Sequence, residues 1–264
     1  MHELTYDIPG ALIALALFVS MAAAVEVGTR LGRRAAAGVQ ETVREHVRFI
    51  QGATLGILAI VLGFTLSLAL QRYDSRSEAL VAEANALGTA WLRIGLLPPD
   101  QAPHMRRLLH AYAQTRVEAG RVSLDDHGGR QALAARTSAA RDALWEGVRQ
   151  AIAVDSRPAT GGLFVQAINE AFDNADTREA ALDRHVPEPI LDFLFACLLF
   201  AGGIVGYGAG LAGHRLSLAG YLLAGMMVLL VFLVLDLDRP RRGLVQVSQK
   251  PLVDLVAAWP AAPR

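Results

Sequence analysis

Four stretches of the chain are predominantly apolar over about the length that a membrane requires. They fall at residues 8–25, 49–70, 193–213 and 216–235, and the second and third contain no charged residue. A helix needs about 20 apolar residues to cross a hydrocarbon layer of about 30 Å. A buried helix of a soluble protein is usually shorter and amphipathic. The pattern therefore predicts four transmembrane helices.

The first apolar stretch has the length of a signal peptide, but the residues before it argue for a retained helix. Signal peptides begin with a positively charged region. This chain begins with MHELTYDIPG, which contains Glu3 and Asp7 and no lysine or arginine. We therefore expect the first helix to remain in the protein.

The residues between the second and third spans are polar and patterned as helices. No proline occurs at 72–94, so the second span is predicted to continue as one long helix until the tandem prolines at 98–99. Further helices are predicted at 103–119, 131–154 and 163–184, with a turn at 125–129. No alternating strand pattern occurs. The predicted fold is all-α, with transmembrane helices 1 and 2 at 8–71, a helical extramembrane domain at 72–188 inserted between spans 2 and 3, transmembrane helices 3 and 4 at 189–235, and a C-terminal tail at 236–264.

Small residues recur on one face of the second span and of the third. They are Gly52, Gly56 and Gly63 in the second span and Gly202, Gly206 and Gly210 in the third. At this spacing small residues let helix backbones approach closely in lipid. Two interpretations stay open, namely tight helix packing and the thin wall of a pore. The two stripes offer more close-packing surface than four helices need internally, which predicts a homo-oligomer.

Charged residues follow the fourth span at once, in the segment VLDLDRPRRGLVQVSQKPL. Asp236 and Asp238 lie at the end of the helix, where the helix dipole disfavours a carboxylate unless it is paired. Arg239 and two further arginines follow directly. We therefore predict a paired cluster that clasps the C-terminal tail against the soluble helices. The alternative is a ring of fixed charge at the pore mouth of a symmetric oligomer.

Further polar candidates lie on the soluble helices. They are Arg72, Arg76, Glu83 and Asn85 on the helix that leaves the second span, and Asn169 and Asp173 on the helix at 163–184. Glu83 and Asn85 are surrounded by small apolar residues, so both are expected to face protein. Buried groups of this kind need hydrogen-bond partners. Arg239 or Asn169 is expected to provide one.

The sequence contains no motif typical of an enzyme or of a cofactor site. It has no zinc-protease motif, phosphate-binding loop or nucleophile elbow. Cys197 is the only cysteine, and His104 and His110 are six residues apart, off any common helical face. Formal net charge is zero because arginines are balanced by carboxylates, which argues against nucleic-acid binding. We predict a protein that is not an enzyme and that holds no metal or cofactor.

Three ordered segments resemble the signatures of the bestrophin-like domain family of bacterial membrane proteins. They are LGFTLSLALQRYDSRSEALVAEANALGTAWLR at 62–93, LFVQAINEAFDNADTREAA at 163–181 and LDLDRPRRGLVQVSQKPL at 235–252. The layout of four spans with an inserted helical domain is also similar to that of bestrophin ion channels. The resemblance implies a homo-oligomer, a pentamer, that conducts ions. The aromatic-rich pore neck typical of bestrophins has no counterpart in GILAIVLGFTLSLAL.

The resemblance also implies a place in the cell. It implies the bacterial inner membrane, with both termini and the middle domain in the cytoplasm. Basic residues near the span ends number six on one side and eight on the other, so charge alone does not decide the orientation. An ion channel is the favoured function. The alternative is a non-conducting membrane scaffold or sensor whose soluble helices bind a partner.

Overall fold

The computed structural model describes residues 10–122, 126–154, 156–214, 217–239 and 244–260. All regular elements within these ranges are helical, which confirms the prediction of an all-α chain. They are α1 (Gly10–Ala35), α2 (Glu41–Ile94), α3 (Ala102–Ala119), α4 (His127–Val154), a π-helical turn (Pro158–Gly162), α5 (Leu163–Leu182), α6 (Glu188–Leu211), α7 (Leu218–Asp238) and α8 (Lys250–Ala258). Residues 1–9, with the acidic start of the sequence, lie outside the described ranges.

Four of the described helices are long and apolar enough to cross a membrane, as the hydropathy pattern predicts. They are α1, α2, α6 and α7. Helix α2 has 54 residues and therefore extends over about 80 Å at 1.5 Å per residue. That length far exceeds the thickness of a bilayer. The predicted continuation of the second span as one long helix is thus confirmed.

The chain divides into two compact units. The first comprises the described parts of Met1–Arg72, His185–Arg239 and Gly243–Val245, and the second comprises those of Tyr73–Arg184, Pro240–Arg242 and Gln246–Arg264. Helix α2 contributes to both units. The assignment of residues 72–188 to an extramembrane domain and of the remaining helices to the membrane stays a prediction.

In the first unit, α1 packs along α6 and also against α7. Helix α2 is joined to α6 by a polar side chain, because Nε2 of Gln51 donates a hydrogen bond to the carbonyl oxygen of Ile204 at 2.9 Å. The outer surfaces of these helices carry exposed large apolar residues, including Phe49, Phe64 and Leu229. Such a surface suits contact with lipid rather than water.

In the second unit, helices α3, α4, α5 and α8 and the final turns of α2 share one apolar core. Its fully buried members include Leu87, Met105, Phe164 and Leu252. The indole of Trp259, which follows α8, stacks on Trp91 with ring centroids 4.3 Å apart. Burial of each large apolar side chain contributes about 1.5–3 kcal/mol to stability. The segment around α8 is therefore a constituent of this core.

The predicted turn at 125–129 is wrong for its last three residues. Helix α4 begins at His127 rather than at residue 131. The side chain of Asp126 accepts a hydrogen bond from the backbone N–H of Gly129 at 2.8 Å, and its carbonyl accepts one from Arg130. Because this capping residue satisfies N–H groups of the first turn, the helix includes both glycines despite their low helix propensity.

Candidate functional site

The glycine stripe of α2 meets no other element among the described residues. A β-carbon added at Gly52, Gly56 or Gly63 would have no heavy atom of a neighbouring element within 4 Å. Ala59 and Ser67, on the same face of the helix, are exposed as well. A helix in lipid gains most from packing where its residues are small. This face is therefore free to contact a second copy of the chain or to line a water-filled path.

The glycine stripe of α6 is fully occupied within the chain. A β-carbon at Gly206 would overlap the carbonyl oxygen of Val25 on α1, and one at Gly210 would overlap that of Thr29. At Gly202 it would meet the sulfur of Met21 at 2.6 Å. Tight helix packing is thus the role of this stripe. The expectation that both stripes exceed the internal packing needs of the chain is wrong for α6, and for α2 it stays a prediction.

Sequence reasoning missed the partner stripe on α1. A β-carbon at Gly28 would overlap the carbonyl oxygen of Gly203, and one at Gly32 would overlap that of Tyr207. The glycines of the two helices therefore interlock, and the backbones touch. The signal was present in the sequence, because Gly28 and Gly32 form a G-x-x-x-G pair that favours close helix approach.

The second unit contains a buried ionic cluster centred on Glu83. The Glu83 side chain has no exposed surface, and its two carboxylate oxygens accept hydrogen bonds from Arg116 at 2.5 Å and Arg178 at 2.6 Å. Arg116 also pairs with Glu179, while Arg178 donates to Oε1 of Gln249 at 2.7 Å. Helices α2, α3 and α5 thus meet at one carboxylate, and Arg178 connects them to the residue before α8.

The charges of this cluster stabilise one another. Burial by itself lowers the pKa of Arg116, but the negative charge of Glu83 and hydrogen bonds to Glu83 and Glu179 outweigh burial, so the pKa is raised overall. Arg116 is therefore charged at every physiological pH. The prediction that Glu83 faces protein is confirmed. Its partners are Arg116 and Arg178 rather than the expected Arg239 or Asn169.

Arg76, about two turns before Glu83 on α2, is also buried. Its guanidinium donates hydrogen bonds to the carbonyl oxygen of Ala181 at 3.3 Å and to that of Arg184 at 2.8 Å. These carbonyls lie at the C-terminal end of α5, where backbone acceptors lack helical partners. Arg76 thus caps that helix end. Arg72, a turn earlier, is half-buried.

The two aspartates at the end of α7 accept hydrogen bonds from backbone N–H groups. Oδ1 of Asp236 accepts the N–H of Leu244 at 2.9 Å, and Oδ2 accepts that of Val245 at 3.0 Å. Asp238 accepts the N–H of Val186 at 2.9 Å, and its carboxylate lies 3.8 Å from Nδ1 of His185.

Both aspartates and Arg239 are buried. The Asp236 carboxylate therefore holds the backbone of Leu244 and Val245 at the end of α7. The two arginines at 241 and 242 that were expected to join this cluster lie outside the described residues.

Three of the predicted polar residues are exposed. Asn85, Asn169 and Asp173 all present their side chains to the surface of the chain. The expectation that Asn85 faces protein is wrong, because it follows Glu83 by two residues and so lies about 200° around the helix from that buried carboxylate. Asp173 and Asn169 lie on the outer face of α5. The structure does not bring these three residues into the buried cluster.

The described residues contain no group of three or more histidine, cysteine or carboxylate side chains that is placed to hold a metal ion. What they contain is an apolar four-helix unit with one open glycine face and a second helical unit built on a buried ionic cluster. This arrangement places the chain in the class of helical proteins with four helices that are long and apolar enough to cross a membrane.

The family follows from the sequence. The chain matches the bestrophin-like domain over residues 13–252 and belongs to the bestrophin-like family, which confirms the resemblance of its three segments. Two similar solved structures are crystal structures of a bacterial bestrophin homologue from Klebsiella pneumoniae, the second carrying one mutation. Both have a TM-score of 0.63 and 14% identity, and they cover 95% and 94% of this chain and 99% and 98% of their own. No curated protein matches this sequence.

Proposed function

We propose that this protein is an oligomeric bestrophin-like ion channel of the bacterial inner membrane. One observation carries the proposal, namely the open stripe of Gly52, Gly56 and Gly63 on the longest apolar helix of the chain. A long helix with an unfilled small-residue face is suited to surround a central axis together with copies of itself. By family resemblance we propose five copies.

The ionic clusters support the proposal by rigidifying each subunit. A conduction path needs walls that hold their spacing while ions pass. Glu83 joins α2, α3 and α5 in the second unit, and Asp236 holds the backbone of Leu244 and Val245. Burial of Asp236, Asp238 and Arg239 favours the clasp over a ring of charge that faces ions directly. We propose that these three residues hold the C-terminal segment in place, as the predicted clasp, and that they lie near the pore mouth.

Ion flux through vesicles tests the channel directly. Purified protein in liposomes should dissipate an ion gradient. Gly56→Leu should abolish this flux, because the new side chain fills the open face of α2. Gly225→Leu on α7 is the matched control, since Gly225 also meets nothing within 4 Å. The control variant should conduct normally. Equal flux from vesicles with and without the wild-type protein would contradict the proposal.

The alternative function is a non-conducting scaffold or sensor. The exposed polar faces of the second unit, with Asn85, Asn169 and Asp173, favour this possibility because they leave hydrogen-bonding groups free for a partner. Oligomers that are monodisperse and stable in lipid but silent in the flux assay would support it. Light scattering that shows a monodisperse monomer in mild detergent would contradict an oligomeric channel and an oligomeric scaffold alike.

We further propose that the termini and the middle domain lie in the cytoplasm. The connection between α1 and α2 would then face the periplasm. A cysteine introduced at the exposed Ala37, in a Cys197→Ser background, should react readily with a membrane-impermeant reagent in intact cells. Labelling that requires permeabilised cells would reverse the orientation without affecting the channel proposal.

A further inference from the structure

The connection between α1 and α2 carries a concentration of arginine side chains. Five arginines and three glutamates lie between residues 26 and 48, so the formal charge of this segment is +2 with His46 neutral. The arginines are Arg30, Arg33, Arg34, Arg44 and Arg48. All except the half-buried Arg44 are exposed. We call this segment the basic hairpin.

The glutamates neutralise only part of this charge. Arg30 pairs with Glu26 at 2.7 Å. The carboxylate of Glu41 is shared between Arg44 at 3.9 Å and Arg48 at 3.5 Å. A carboxylate that serves two guanidinium groups at these distances leaves most of their donors unused.

The guanidinium groups of Arg33 and Arg34, and one nitrogen of Arg44, have no hydrogen-bond partner among the described residues. Arg33 and Arg34, in the last turn of α1, make no ion pair with any described residue. Nε of Arg44 is buried and has no hydrogen-bond partner within the described part of the chain. A buried donor without a partner is unfavourable, so a ligand that accepts its hydrogen bond stabilises the site. The hairpin thus carries excess positive charge together with unused donors, which is a surface suited to an anion.

Apolar residues on the same helices show where this surface lies. Val27 and Leu31 on α1 and Phe49 on α2 are large and more than half exposed, within a turn or two of the arginines. Exposed apolar side chains of a membrane-crossing helix contact lipid tails, and arginines beside them extend their heads to the headgroup layer. The anion nearest to such arginines is a lipid phosphate, which guanidinium groups bind in a bidentate manner.

We propose that the basic hairpin binds the headgroups of anionic phospholipids, with Arg33, Arg34 and Arg44 as the phosphate ligands. The proposal requires that α1 and α2 cross a bilayer, but it does not require that the protein conducts ions. Each arginine near a charged lipid surface contributes about a fivefold factor in affinity, equivalent to about 1 kcal/mol.

Lipid titration followed by native mass spectrometry tests this proposal on the full-length protein in detergent. Phosphatidylglycerol should bind more tightly than phosphatidylcholine, and Arg33→Gln/Arg34→Gln should weaken the phosphatidylglycerol affinity by roughly 25-fold. Inorganic phosphate should not compete at equal concentration, because a free ion lacks the acyl chains that seat the headgroup. The matched control is Arg107→Gln/Arg121→Gln, which removes two exposed charges from the second unit.

The control variant should keep the wild-type preference. Equal binding of the two lipids by the wild type, or equal loss in both double variants, would overturn the proposal. If the hairpin variant does not fold, the salt dependence of the wild type decides: phosphatidylglycerol binding that is unchanged between low and high ionic strength would refute a charge-based site. Flux measurements play no part in this test, so a failure here leaves the channel proposal standing.

Discussion

Replacement of Glu83 by glutamine should strongly destabilise the second unit. The substitution retains the shape of the side chain and removes the charge that Arg116 and Arg178 share. Glu83 is completely buried, and both guanidinium groups are nearly so, at 3% and 4% exposure. Removal of one partner from a buried ion pair costs about 3–5 kcal/mol, because the other charge is left without compensation. Arg116 retains Glu179, so we expect about 3 kcal/mol.

The melting temperature of the detergent-solubilised protein measures this loss. A change of about 3 kcal/mol corresponds to a decrease of roughly 6–12 °C for a protein of this size. The matched control is Asp176→Asn, which breaks the exposed ion pair of Asp176 with Arg141. Exposed pairs contribute at most about 1 kcal/mol, so the control should melt within a few degrees of the wild type.

A double-mutant cycle separates the charge effect from general damage. Arg178→Met removes the second charge while it keeps much of the volume. The variant with both Glu83→Gln and Arg178→Met should lose less stability than the sum of the single variants, since no arginine is then left facing a neutral amide. Strict additivity, or a loss from Glu83→Gln no larger than that from Asp176→Asn, would refute a cluster held together by charge.

Three further outcomes are expected. Gly206→Ala should lower the melting temperature by overpacking, whereas Gly56→Ala should leave it unchanged. Burial raises the pKa of Tyr112 from its ordinary value of about 10 to about 12. The stabilisation from the neutral phenol is therefore complete below pH 10, and the free energy of unfolding should fall by about 2–3 kcal/mol between pH 10 and 12. Denaturant titrations of Tyr112→Phe should not show this decline. Asp236→Asn should cost about 1.5–3 kcal/mol in thermal melts, because charged acceptors of backbone N–H groups are strong; unaltered stability with altered flux would instead favour the pore-mouth role.

Local physics accounts for what the sequence alone could predict. A helix satisfies its backbone hydrogen bonds within four residues, so apolar runs of membrane length identify α1, α6 and α7 without reference to any neighbour. The same reasoning predicts that α2 continues to the tandem prolines, because no residue at 72–94 interrupts it. The start of α4 was predicted four residues too late, because the capping Asp126 outweighs the low helix propensity of Gly128 and Gly129.

Only the tertiary structure decided which side chains meet. The glycine stripes of α2 and α6 look alike in sequence, yet that of α6 interlocks with Gly28 and Gly32 of α1, whereas that of α2 faces no other element in the described part of the chain. Glu83 finds its partners 33 and 95 residues away, on α3 and α5. Spacing along a helix fixes the face on which a residue lies. What that face contacts depends on how helices distant in the chain pack, and no local pattern contains that information.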